Sequence, residues 1–294
     1  MKPVMWICLA ALSGLWSLSG AAGAAGDATR TEREGGIIGT GIVGTITELG
    51  SIVVNGVRVT FGEDFQAETP FGLRPASALV PGETVVVEAE GEGQTALATR
   101  IATYLPVIGP ISRNDAGIWQ IMGTEIVIDQ ATMDGQPGEW VAVNGLWQGN
   151  RLIATRVDIV PPQQYATIIG TYWGNDDVGF TVGQTKVRNV EISHAQIGDV
   201  ITVQGVPEDN GIKAQTISNG LFSGPVDTLL VEGFLSAPDA SGVYTVHGAG
   251  VVAFTDNPGM VPAAPRGLYC IDQNRNAPIR RVDAPYPDAN PCAE

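Results

Sequence analysis

The sequence is poor in several residue types on which common functions depend. Of the 294 residues, two are histidine, three are cysteine, and only 6% are aromatic. The 16 Lys and Arg residues are outnumbered by 31 Asp and Glu residues, which gives a formal charge of −15. An acidic protein repels phosphate backbones, so the composition argues against nucleic-acid binding. No stretch repeats apolar residues at helical spacing, whereas glycine and β-branched residues are plentiful, as in all-β proteins.

Short motifs of catalytic and metal sites are missing as well. The sequence has no H-x-x-x-H, C-x-x-C, EF-hand or G-x-S-x-G pattern. We therefore expect a non-catalytic protein without a metal or cofactor. A carbohydrate-active hydrolase stays an open alternative, because two carboxylates that flank a cleft leave no local pattern in a sequence.

The N-terminus reads as a secretory signal peptide over residues 1–25. One Lys precedes an apolar run, and Ala22-Gly23-Ala24 is a cleavage site of the A-x-A type. The alternative is a membrane anchor. No later segment is apolar and long enough to span a bilayer, so we expect a periplasmic or secreted protein. Cys270 and Cys292 remain after cleavage, and in an oxidising compartment they predict a disulfide; two free thiols are the alternative.

An internal repeat dominates the rest of the chain. "GETVVVEAEG" from Gly82, "GEWVAVNG" from Gly138 and "GDVITVQG" from Gly198 correspond, at intervals of 56 and 60 residues. Arg100, Arg156 and Thr216 repeat at the same two intervals in a later block. A third block, which opens each unit with a glycine-led strand and turn, recurs four times. Such self-similarity predicts tandem copies of one supersecondary unit.

Each unit of about 60 residues reads as several short strands joined by turns. Alternate residues, such as Val85 and Val87 in the first unit, have the period of half-buried strands. We predict an all-β protein of tandem small OB-like β-barrels, four repeats, the last irregular; a two-layer sandwich is the alternative. After the signal peptide, the predicted segments are a linker (26–38), three barrel repeats (39–106, 107–165 and 166–224), and an irregular fourth repeat with a Pro-rich tail (225–294).

Gly39, Gly41 and Gly44 match the dinucleotide-binding pattern G-x-G-x-x-G, but their context does not. That pattern should follow a strand and open a helix, whereas here "TITELGSIVVNGVRV" follows, which is strand, turn and strand. We interpret these glycines as structural. The segment "GGIIGTGIVGTITELGSIVVNGVRV", with "LVPGETVVVEAEG" and "ALATRI", resembles the bacterial family called domain of unknown function 5666. The resemblance implies exported small-barrel proteins, often in tandem, and no catalytic residues.

Three tryptophans are the candidate ligand-binding residues. Trp140, Trp147 and Trp173 fall outside the inward-facing phase of their repeats, and large exposed apolar side chains are uncommon without a role. They predict a stacking platform for an envelope glycan or a partner protein. The alternative is that they pack the seam between the second and third repeats, in which case the protein is a structural spacer without a small ligand.

Overall fold

The computed structural model describes residues 39–48, 51–91, 95–128, 133, 135–175, 179–188, 192, 195–273, 278–282 and 292. The predicted signal peptide (1–25) and linker (26–38) lie outside these residues. Apart from two single-turn 3-10 segments, Ala76–Ala78 and Pro258–Met260, the regular structure consists of β-strands. Within the described part of the chain, no helix has the length and hydrophobicity needed to cross a bilayer.

The first repeat contains seven strands. They are β1 (Thr40–Glu48), β2 (Ile52–Val54), β3 (Val57–Thr60), β4 (Gln66–Thr69), β5 (Gly72–Pro75), β6 (Thr84–Glu90) and β7 (Thr95–Thr103). Strand β1 pairs with β2, β2 with β3, β3 in parallel with β7, β7 with β6, and β6 with β1. These pairings close a five-stranded barrel, which we call the first barrel. Asn55 and Gly56, at φ 55° and 79°, form the tight β2–β3 turn that an Asn-Gly pair favours.

The second repeat forms a closed barrel with the same order of pairings. Its strands are β8 (Val107–Arg113), β9 (Trp119–Ile121), β10 (Thr124–Ile128), β11 (Trp140–Gln148) and β12 (Arg151–Ile159). Strand β10 runs parallel to β12, and β11 pairs with both β12 and β8. We call it the second barrel.

The third unit repeats four of the five pairings. Its strands are β13 (Ala166–Thr171), β14 (Phe180–Val182), β15 (Thr185–Arg188), β16 (Val200–Glu208) and β17 (Gly211–Asn219). Strand β13 pairs with β16, β16 with β17, β17 in parallel with β15, and β15 with β14. Strand β13 also pairs with β8, so the second barrel and the third unit share one sheet.

The fourth unit departs most from the pattern. Its strands are β18 (Thr228–Leu235), β19 (Val243–Val246), β20 (Val251–Phe254), β21 (Ala264–Asp272) and β22 (Arg280–Val282). Strand β18 pairs with β19 and β21, and in parallel with β1 of the first barrel. Among the described residues, the parallel pairing that closes the barrels is missing between β20 and β22. The all-β class and the small closed barrels are confirmed, whereas the count of four repeats, the last irregular, stays a prediction.

The predicted period-two alternation is confirmed in the cores. Val85 and Val87 are fully buried in the first barrel, and Val141 and Val143 are fully buried in the second. The outward residue Val86 is buried too, because it packs against residues of the third and fourth units. Packing between units therefore buries both faces of several strands. The period-two alternation within one repeat does not predict this second buried face.

A β-bulge recurs at one position in three repeats. The register shifts at Glu88/Ala89, Asn144/Gly145 and Gln204/Gly205, with the 56- and 60-residue intervals of the sequence repeat. A bulge re-aims the side chain next to it. Asn144 Oδ1 accepts a hydrogen bond of 3.0 Å from the Thr84 amide in the first barrel. Glu88 Oε1 accepts one of 2.9 Å from Ser223 Oγ, in the connection between the third and fourth units. These two bulge residues therefore link neighbouring units.

Candidate functional site

The three predicted tryptophans do not share one surface. Trp147 is 3% exposed and lies in the core that the second barrel shares with the third unit. Its Nε1 donates a hydrogen bond of 2.9 Å to the Ile169 carbonyl of β13. Neither face of the indole is open for stacking on a ligand. Such a position agrees with the alternative interpretation, in which the tryptophans pack between the second and third repeats.

The other two tryptophans differ in exposure. Trp140, the first residue of β11, is half-buried and packs between two apolar clusters, one of which contains Leu105 and Ile108. Trp173 follows β13 and is 49% exposed. Ligand binding by these two side chains stays a prediction.

Cys270 and Cys292 form a disulfide, with 5.3 Å between their Cα atoms. The bond joins β21 to residue 292, and both cysteines pack against the core of the first barrel. Cys292 is thus held against the first barrel, although it belongs to the fourth repeat in the sequence.

A cleft lies between the first and second barrels, and we call it the inter-barrel cleft. One wall is formed by the β4–β5 hairpin with the segment that follows it, and the other by β11, β12 and Val160. Its volume is about 460 Å³. The apolar lining residues are Phe71, Leu73, Ala78, Val80, Leu105, Ala142 and Val160. The polar lining residues are Thr69, Arg74, Glu83, Thr103, Asn144, Arg156 and Asp158.

The charges of the inter-barrel cleft are paired within the protein. Arg74 Nη2 lies 2.6 Å from Glu83 Oε2, and Arg156 Nη2 lies 2.6 Å from Asp158 Oδ1. The hydrogen bond to Asp158 raises the pKa of Arg156, and the charges of Asp158 and Glu83 act in the same direction. Two arginines and two carboxylates thus give the cleft no net charge.

Phe71 stands between this cleft and a second, smaller cavity. The second cavity, of about 170 Å³, is lined by Pro70, Phe71, Ile108, Gln163, Gln164, Tyr165, Thr167 and Gln204. Phe71 is 48% exposed and Tyr165 is 37% exposed. The Thr69 hydroxyl accepts a hydrogen bond of 3.0 Å from the Phe71 amide and donates one of 2.8 Å to the Gly72 carbonyl. The ring of Phe71 is therefore presented on a fixed turn.

Sequence reasoning missed Phe71 and Tyr165. Among the described residues of the second and third repeats, the β4–β5 hairpin has no counterpart strands, so comparison of the repeats gave no expectation for it. The signal was an isolated aromatic residue in "ETPFGLRP", a turn segment where a buried role is not expected. Tyr165 lies in the connection between the second and third repeats, where only the fold brings it to the same cavity as Phe71.

Residues 40–102 and 108–158 match a family model described as "Domain of unknown function (DUF5666)". The two matched segments lie in tandem and together cover less than half of the chain. The first DUF5666 match runs from the start of β1 to near the end of β7, and the second covers most of β8–β12. Each matched segment therefore corresponds to one closed five-stranded barrel, and the resemblance predicted from the sequence is confirmed. No curated protein and no solved structure matches the chain significantly.

Proposed function

We propose that this protein is an exported, non-catalytic binding protein of the cell envelope. Its ligand would be an uncharged glycan segment in the inter-barrel cleft, with sugar rings against Phe71 and Tyr165. The main support for this proposal is the position of Phe71. Its half-exposed ring lines both cavities, and Tyr165, which is also exposed, lines the smaller one. A concave site with exposed aromatic rings and a few polar groups is a usual form of a small-ligand site.

The polar groups around the two cavities favour an uncharged ligand rich in hydroxyl groups. Gln163, Gln164 and Gln204 can each donate and accept hydrogen bonds, as a sugar hydroxyl requires. The charged side chains of the cleft are already paired with each other, and the net charge of −15 repels anionic polymers. A neutral glycan would meet no uncompensated charge.

The carboxylates of the cleft support binding rather than hydrolysis. Glu83 accepts hydrogen bonds from Arg74 Nη2 at 2.6 Å and from the Val80 amide at 2.9 Å. Asp158 is held by Arg156. Both carboxylates thus serve contacts within the protein, whereas glycoside hydrolysis needs one carboxylic acid that is free to give its proton to the leaving group.

Titration calorimetry of the mature protein with neutral envelope oligosaccharides tests this proposal. We expect saturable binding that Phe71→Ala and Tyr165→Ala each weaken by about tenfold or more, since a stacking ring is a typical hot spot. Trp173→Ala is the matched control, because it removes an aromatic ring of similar exposure that does not line either cavity.

Two results would contradict the proposal. If Trp173→Ala abolishes binding while Phe71→Ala leaves it unchanged, the ligand lies on the tryptophan predicted from the sequence. If no oligosaccharide binds at millimolar concentration, the spacer interpretation takes its place.

A further inference from the structure

Strand β20 in the fourth unit forms one edge of the twelve-stranded sheet, and among the described residues only β19 pairs with it. Two of its side chains, Val252 at 37% and Phe254 at 60%, are exposed. An edge strand with exposed apolar side chains is a template for the addition of another strand. Proteins usually protect such edges with charges or proline, and β20 (Val251–Phe254) contains neither.

The other three units show what covers the equivalent strand. Only five strands recur in every unit, since β4 and β5 belong to the first repeat alone among the described residues. Of these five, the third pairs in parallel with the fifth in each of the three units, as β3 with β7, β10 with β12, and β15 with β17. In the fourth unit, the third strand is β20, and the fifth, β22, covers Arg280–Val282 within the described residues and pairs with β21. In each of the other three units, a strand therefore occupies the position that corresponds to the free side of β20 among the described residues.

The covering strands have a common character. They are β7 (TALATRIAT), β12 (RLIATRVDI) and β17 (GIKAQTISN), which carry aliphatic or small residues at alternate positions and at least one basic residue. At the C-terminal end of β20, the acidic residues Asp239 and Asp256 are exposed. The Thr255 amide donates a hydrogen bond of 2.9 Å to the Gly242 carbonyl, which brings the two acidic segments together. Neither carboxylate is in an ion pair within the described residues.

We propose that β20 is a docking edge for an extended segment of a partner polypeptide, which adds in parallel as the missing fifth strand. The partner segment carries aliphatic residues at alternate positions and a basic residue toward its C-terminal end. The aliphatic side chains contact Val252 and Phe254, and the basic residue meets Asp256. This edge is independent of the inter-barrel cleft, since no residue of β20 lines that cleft.

Fluorescence polarisation with a labelled peptide of sequence RLIATRVDI, residues 151–159, tests the proposal on the mature protein. We expect saturable binding that a scrambled peptide does not reproduce, and that Phe254→Lys weakens by about tenfold or more. Leu97→Lys is the matched control: Leu97 is 54% exposed on β7 of the same sheet and lines neither cavity, so its substitution should leave the affinity unchanged.

The charge contribution has a separate test. Asp256→Asn should weaken binding of RLIATRVDI but not of RLIATQVDI, and added salt should reduce this difference. Equal binding of the scrambled peptide, an unchanged affinity in Phe254→Lys, or no saturable binding would overturn the proposal. Two further outcomes would also overturn the proposal, because each would show that something other than a partner polypeptide binds the β20 edge. One is a dimer that Phe254→Lys dissociates, which indicates a second copy. The other is binding seen only after truncation at residue 282, which indicates the chain's own C-terminal segment.

Discussion

The hydrogen bond from Trp147 Nε1 to the Ile169 carbonyl, 2.9 Å long, joins the second barrel to the third unit. The fourth unit reaches the same indole through Gly248, where a Cβ atom would lie 2.5 Å from Trp147 Cδ1. Tyr104, in the connection between the first and second barrels, donates a hydrogen bond of 3.4 Å to the Gly248 carbonyl. Trp147 is thus at the junction where the units of the chain meet.

Replacement of Trp147 should destabilise the whole protein. We expect Trp147→Ala to lower the free energy of unfolding by about 3–5 kcal/mol, because it removes a buried ring and leaves the Ile169 carbonyl without its donor. Urea unfolding followed by circular dichroism measures the change. Trp173→Ala, at the half-exposed tryptophan, is the control and should stay within about 0.5 kcal/mol of the wild type. Equal losses in both variants would contradict a junction role for Trp147.

The stability of the protein should fall at alkaline pH because of Tyr104. Burial raises the pKa of Tyr104 well above its usual value, and the contact with Trp147 offsets part of this shift. In the unfolded chain, tyrosine ionises near pH 10. Above that pH the unfolded state loses a proton that the folded state keeps, so Tyr104 lowers stability by about 1.4 kcal/mol per pH unit.

Tyr104→Phe should therefore reduce the dependence of the unfolding free energy on pH between about pH 10 and 11.5. The dependence should not vanish, since burial also raises the pKa of Tyr269. Urea midpoints across this pH range measure the effect. A slope in Tyr104→Phe equal to that of the wild type would contradict the assignment.

Asn144 should be important for docking of the first two barrels. It is 1% exposed, and its Oδ1 is the acceptor for the fully buried amide of Thr84. Asn144→Ala leaves that amide unsatisfied, so we expect a loss of about 1–3 kcal/mol in the free energy of unfolding. Asn114→Ala is the matched control: Asn114 also accepts hydrogen bonds from backbone amides, but on an exposed turn where water can replace it. A greater loss at Asn114 than at Asn144 would contradict this view.

The disulfide should stabilise the fold through the loop that it closes. Its cysteines are 22 residues apart in sequence, and cross-linking a loop of this length stabilises by about 3 kcal/mol in the chain-entropy model. The double variant Cys270→Ser/Cys292→Ser should lose about that amount in urea unfolding. Reductant should lower the stability of the wild type toward that of the variant and leave the variant unchanged. A wild type that is insensitive to complete reduction would refute the prediction.

Much of the fold within each barrel could be predicted from the internal sequence repeat. Local turns such as Asn55-Gly56, alternation such as Val85 and Val87, and the recurring interval between units all arise from contacts within one barrel. Contacts of this kind constrain residues that are near each other in the chain, so they leave a readable pattern. The resemblance to DUF5666 rests on the same segments.

Contacts between units left no such pattern, and the candidate site depends on them. Glu88 and Asn144 hold the same place in their repeats, yet one bonds to Ser223 and the other to Thr84. The sequence by itself predicted small β-barrels in tandem and a disulfide between the two late cysteines. Only the tertiary structure decided that Trp147 is buried and that Phe71 and Tyr165 line one cavity. The physical reason is that exposure depends on which units pack together, and that packing joins residues separated by whole repeats.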